Sequence, residues 1–206
     1  MEIITIKNVS KTIKGRRVLQ DINLSIEKGR TYGVVGHNGS GKTMLFRLIL
    51  GLIKPTEGTI TVDAQVSFGA TIENPSFLGE YSGFQNLKLL ANINQKITNE
   101  QICQTIAEVG LDPDSKEKVK SYSLGMKQKL ALAQALMEKP SVLVLDEPTN
   151  GLDNDSVLQI RRLLKEEHEK GTTIIFTSHN VEDVKELAQE VLEMNDGVLT
   201  HSRMLE

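Results

Sequence analysis

Cysteine is nearly missing from this chain of 206 residues: Cys103 is the only one. An intrachain disulfide is therefore excluded, and a reducing compartment fits best. Beside Ile102 and Ile106, Cys103 reads as a small apolar residue. A basic excess is missing too. The chain has 24 Lys and Arg against 27 Asp and Glu, a formal charge of −3 and a pI near 5.9, which provides no cationic field for grasping DNA or RNA. No nucleic-acid partner is expected from that balance. At the N-terminus, Met-Glu-Ile-Ile-Thr lacks a cationic region followed by an apolar core, so no secretory leader is expected. Nor does any apolar run approach the roughly 18 residues that a membrane-spanning helix needs. If the protein works at a membrane, another chain is expected to cross it. Internal repeats and low-complexity tracts are also lacking.

What is present is 39% hydrophobic and 25% charged residues, enough apolar content for a sizeable core. The length suits a single α/β domain over 1–206 with a subdomain inserted. Gly36-His37-Asn38-Gly39-Ser40-Gly41-Lys42-Thr43 fits G-x-x-x-x-G-K-[ST] at every fixed position. The glycines let the backbone turn tightly and aim N–H groups at an anion, Lys42 reaches the outer phosphates, and the Thr43 hydroxyl is placed to ligate Mg²⁺. Thr31 to Val35 reads as a strand before this loop. Met44 to Leu52 reads as a buried helix after it, its positive end facing the phosphates.

Around the loop, residues 2–8 and 18–26 alternate like strands and suggest an antiparallel flap, with a turn at Lys14-Gly15-Arg16-Arg17. Thr59 to Val62 and Gln65 to Ala70 are further strands. At Asn74-Pro75 the character changes, and residues 76 to about 138 read as a helical insert. Within it Thr98 and Gln101 form a capping box, Ile102, Ile106 and Val109 recur on one face, and Gly110 stops the helix. From Ser141 strands and helices alternate: VLVL, a helix from about Asp155 to Lys170, TTIIFT, a helix to about Gln189, and a hairpin at Asp196-Gly197. Such alternation predicts a mostly parallel sheet with helices on both faces, a phosphate-loop NTPase core over 1–75 and 139–206.

Val142 to Leu145 is an apolar strand that ends in Asp146-Glu147, placing two acids where a parallel sheet opens its ligand crevice. Asp146 is expected to bind Mg²⁺ opposite Thr43, and Glu147 to polarise the water that attacks the γ-phosphate. His179 follows TTIIFT at another carboxyl end. There it either contacts the γ-phosphate and holds the attacking water, or is an ordinary satisfied histidine. Ser123 reads as the N-cap of a helix running to about Glu138.

In this order, over nearly the whole chain, these motifs resemble the ATP-binding cassette of ABC transporters. The resemblance implies that Ser123 and Gly125 bind the γ-phosphate of ATP held by the other subunit of a head-to-tail dimer, with Leu124 and Met126 replacing the family's usual glycine and glutamine. It maps the metal-binding aspartate onto Asp146, the catalytic glutamate onto Glu147 and the switch histidine onto His179. Asn150-Gly151-Leu152-Asp153 becomes a dimer-contact loop. The family's usual glutamine, a Mg²⁺ and water ligand, corresponds to Glu73, a variant similar to bacitracin- or lantibiotic-resistance cassettes. The adenine platform falls near Ile13, an aliphatic residue where the family has an aromatic one.

The implied function is an ATPase with ATP and Mg²⁺, expected to pair with an identical copy, that powers export through a separate transmembrane permease from the cytoplasmic face of the membrane. A soluble cassette acting on ribosomes or DNA, and a low-turnover regulatory subunit, are the alternatives.

Overall fold

The structure, a computed structural model, describes residues 1–73 and 76–204, with backbone alone over 201–204. Asn74 and Pro75, the expected change of character, lie outside the described residues. β1 (Glu2–Ile13) and β2 (Arg16–Glu27) pair antiparallel around Lys14-Gly15. Both turn residues have positive φ, the twist that two-residue hairpins prefer. β3 (Thr31–Val35) then leads through the phosphate loop into α1 (Lys42–Ile49). β4 (Glu57–Val62) returns to pair with β1, completing a small sheet of order β2-β1-β4.

β5 (Phe68–Thr71) opens the run that leads to α2 (Gly83–Asn94), α3 (Asn99–Glu108) and α4 (Leu124–Leu136). The rest alternates: β6 (Val142–Asp146), α5 (Asn154–Glu169), β7 (Thr173–Thr177), α6 (Val181–Leu187), β8 (Glu190–Asn195) and β9 (Val198–Met204). The main sheet has the order β5-β6-β7-β3-β8-β9. Its first five strands are parallel and only β9 runs against them. The carboxyl ends of β6, β7 and β3 therefore lie side by side at one edge. Among the described residues, no helix is long and apolar enough to cross a membrane.

The period of two in a strand divides the core. Leu143 and Leu145 face the layer that contains α3, α4 and α5, while Val142 and Val144 face α1 and the small sheet. All four are fully buried, which is why β6 reads as a continuous apolar run rather than an alternating one. Except at α1, helix starts are set by side-chain caps. Ser82 with Gln85 and Thr98 with Gln101 form reciprocal capping boxes, and Ser123, Asp153 and Asn180 each accept from a backbone N–H in the first turn. At Gly69 the backbone of α4 lies so near that a Cβ would come 2.0 Å from Ala135 O. Only glycine fits there.

Several expectations needed correction at their edges, among them the strand expected over Gln65 to Ala70, which begins only at Phe68. β1 extends to Ile13, well beyond residue 8, because bulges between Ile6 and Val9 and between Val9 and Lys11 break the alternation that marks a strand, and β2 is slightly longer than 18–26. Three helices also stop short: α1 at Ile49, α4 at Leu136 and α6 at Leu187. Ala188 is already extended, and Gln189 N donates to Thr31 O.

The turn of the last hairpin has a second task. Gly197 N donates to Ser40 O at 2.9 Å, and Gly197 O accepts from Gln20 N at 2.8 Å. The turn is thus wedged between β2 and the phosphate loop, where a Cβ on Gly197 would stand 2.5 Å from Val18 O.

Candidate functional site

The phosphate loop is a backbone structure before it is anything else. Gly36, Gly39 and Gly41 have φ of 152, 82 and 114, values that side chains oppose. A Cβ on Gly36 would meet Met194 O at 2.2 Å. Gly41 is the N-cap of α1 without any side-chain cap, and the first turn of α1 carries no acid. Its leading N–H groups are therefore open to an anion, reinforced by the helix dipole. Lys42 is folded back, donating to Gly36 O at 2.7 Å and His37 O at 3.1 Å. Ser40 is buried and its Oγ has no hydrogen-bond partner. His37 is half exposed, with Nδ1 2.9 Å from Asn38 O and Nε2 3.4 Å from Asp196 Oδ1.

Across the loop, Thr43 Oγ1 donates to Asp146 Oδ2 at 2.9 Å, and Thr177 Oγ1 donates to Asp146 Oδ1 at 2.6 Å. Among the described residues no group of three or more His, Cys, Asp or Glu is arranged to hold a metal. Thr43 and Asp146 are hard oxygen donors from two elements, a set that suits Mg²⁺, which takes one or two carboxylates and completes its shell with phosphate and water. Glu73 lines the same cavity but is engaged by Arg47 of α1 in an ion pair.

Glu147 has a left-handed backbone, φ 52. Its N–H donates to Thr177 Oγ1 and its carbonyl accepts from Gln128 Nε2, both at 2.9 Å. One carboxylate oxygen, Oε2, accepts from His179 N at 3.2 Å. The other, Oε1, lies 3.2 Å from His179 Nε2 without hydrogen-bond alignment, so a buried acceptor is left unsatisfied beside the phosphate loop.

Asn38, Gly39, Gly41, Lys42, Thr43, Glu73, Asp146, Glu147 and His179 line one cavity of about 690 Å³, whereas Gly36, His37 and Ser40 are not part of its lining. Ser123 and Gly125 do not line it. Ser123 caps α4 by accepting from Met126 N at 3.2 Å, and Gly125 packs toward the 150–153 turn. Ile13 does not line it either: Arg16, Arg17 and Val18 of β2 do, and Ile13 sits partly exposed at the end of β1.

Sequence reasoning missed a polar knot behind the site. Asp183 is fully buried. It accepts from Thr149 Oγ1 at 2.5 Å, Ser178 Oγ at 2.8 Å and Arg161 Nε at 2.7 Å, with Arg161 Nη2 at 2.6 Å. The segment after Glu147, the residue before His179 and α5 are thereby tied together. The only sequence signal is an acid in the first turn of α6, where a solvated residue that complements the dipole is the ordinary reading. In the 150–153 turn, Asp153 accepts from Ser156 N–H and Oγ–H, both at 2.9 Å. These bonds hold its carboxyl below the usual carboxylate range.

Comparison with known proteins agrees with the geometry. Residues 19–150 match the family described as ABC transporter. An uncharacterized ABC transporter ATP-binding protein of Bacillus subtilis (strain 168) is 45% identical over 97% of this chain and 96% of its own. The bacitracin transport ATP-binding protein of Enterococcus faecalis is 36% identical over 96% of this chain and 68% of its own. The fold is that of a dimeric ATP-binding cassette solved with ADP and Pi, with a TM-score of 0.91, 22% identity and 99% coverage of both chains. This chain therefore belongs to the ABC transporter family, as one of its ATP-binding, ATP-hydrolysing subunits.

Proposed function

We propose that two copies of this chain hold two ATP–Mg²⁺ head to tail and that closure, hydrolysis and reopening drive export through a separate membrane subunit. One observation carries this reading. The phosphate loop, Asp146-Glu147 and His179 converge on one cavity from three neighbouring strands, whereas Ser123 and Gly125 lie outside it. Those two residues acquire a phosphate to bind only when a second copy brings one.

The N–H groups of Gly36 to Thr43 cradle the phosphates, and Lys42 swings from the Gly36 and His37 carbonyls to the outer ones. Thr43 and Asp146, joined by Glu73, would hold Mg²⁺, which would supply positive charge to offset that of the phosphates. Glu147 accepts a proton from water through its unsatisfied Oε1 as the water oxygen bonds to the γ-phosphorus and the bond to the β–γ bridging oxygen breaks. The products are ADP and phosphate. His179 orients this carboxylate and the water.

The helical lobe, about 76–138, and the core are proposed to shift against each other as units. An apolar groove between β5 and α2, with Leu78 and Leu89 exposed along it, supports docking of a membrane subunit there. The chain would then sit peripherally on the cytoplasmic face of the membrane. The bacitracin transport relative supports a role in transport, and export is the direction we propose.

Steady-state phosphate release from wild type and Glu147→Gln tests the reading. Loss of a general base costs about 10²–10⁴-fold in rate, and the variant is expected to elute as an ATP-loaded pair. Equal rates for both proteins, or full turnover by strictly single copies, would overturn it.

A further inference from the structure

Non-glycine residues keep a left-handed backbone only when their surroundings enforce it, and Glu147, with φ 52, is gripped from two sides. Thr177 Oγ1, at the end of β7, accepts from its N–H at 2.9 Å, and Gln128 Nε2 on α4 donates to its carbonyl at 2.9 Å. One grip comes from the sheet and the other from the helix whose start carries Ser123 and Gly125. Gly125 and Gln128 are three residues apart and share a face of α4. That face lies against the segment after Glu147: a Cβ on Gly125 would come 3.2 Å from Gly151 O, and one on Gly151 2.9 Å from Leu124 Cδ2. The start of α4 and the 147–151 segment are therefore packed as one body, with Gln128 as its polar pin.

We infer that Gln128 is a positioning residue that transmits the place of α4 to the Glu147 carboxylate. A copy whose Ser123 and Gly125 grip its partner's nucleotide thereby has its own Glu147 set for hydrolysis. This rests on the head-to-tail reading above and adds to it a physical link by which filling one site arms the other. Gln128 is half-buried and lines the cavity, so it can be replaced without opening the core.

Gln128→Met keeps length and bulk and removes the donor. We measure ATP binding by single copies, melting temperature, and ATP hydrolysis against ATP concentration. Binding and melting are expected to stay at wild-type values, while kcat falls about tenfold and the Hill coefficient falls from near about 2, the limit for two sites, toward about 1. Wild-type kcat and cooperativity in Gln128→Met, beside a cooperative wild type, would overturn the role of Gln128 alone. Parallel loss of binding, melting temperature and kcat would mark a merely structural residue and overturn it as well. A wild type that hydrolyses with a Hill coefficient of about 1 at every protein concentration would remove the head-to-tail reading together with this one.

Discussion

Asp183→Ala should be among the most damaging single substitutions outside the cavity itself. The carboxylate is fully buried and faces Arg161, whose side chain is only 12% exposed. Removing one partner of such a pair leaves an uncompensated charge, at a cost of about 3–5 kcal/mol. The Thr149 and Ser178 hydroxyls lose their acceptor as well, adding roughly 1 kcal/mol each. Against a total stability of about 5–15 kcal/mol, that is a third or more. With a urea dependence of about 2 kcal/mol per molar, the unfolding midpoint should fall by roughly 3 M. Replacing both charges, Asp183→Leu with Arg161→Met, should recover most of the loss, since exchanging a whole buried ion pair for apolar groups is often neutral. The assay is equilibrium urea unfolding followed by circular dichroism for wild type, both single variants and the pair. The reasoning is refuted if the midpoint of Asp183→Ala moves by less than about 0.5 M, or if the double variant is as unstable as the sum of the singles.

Two further outcomes are expected. Arg47 and Glu73 form an ion pair whose side chains are 35% and 59% exposed, worth at most about 1 kcal/mol. Arg47→Ala should therefore release Glu73 to the cation and lower the Mg²⁺ concentration for half-maximal hydrolysis by up to about fivefold; a raised requirement in the titration would contradict the assignment of Glu73. Asp153 is an N-cap whose carboxyl titrates below its ordinary value of 3.8, chiefly through the Ser156 N–H. A depressed folded value means that its contribution is complete above the unfolded value and is lost as pH falls through the folded one. Asp153→Asn, which retains an acceptor, should thus melt close to wild type at neutral pH, and the difference between wild type and Asp153→Ala should shrink in acid; a difference that does not vary with pH would argue against this cap.

Much of this was legible because it is local. The phosphate loop declares itself by glycines with strand before and helix after, and Asp146-Glu147 by the apolar run that precedes them. Thr98 with Gln101 reads directly as a cap. What escaped depends on residues brought together from distant parts of the chain. Thr149, Arg161, Ser178 and Asp183 are ordinary polar residues until folding buries them around one carboxylate. Gln128 looks like any residue of a capped helix until its partner is seen to be a backbone carbonyl, which carries no sequence signal at all. Arg16, Arg17 and Val18 look like turn and strand alone, since the bulged hairpin hides which side of β2 meets the cavity. The pairing of Glu73 with Arg47 has the same origin, an acid and a base that no periodicity connects.

The wedge of Gly197 beneath Ser40 has a consequence for biosynthesis. The nucleotide cradle at 36–43 is synthesised long before the turn at Gly197 that buttresses it. A nascent polypeptide thus displays the glycine motif long before it owns a rigid socket, and commitment to nucleotide waits until synthesis has passed the turn at Asp196-Gly197.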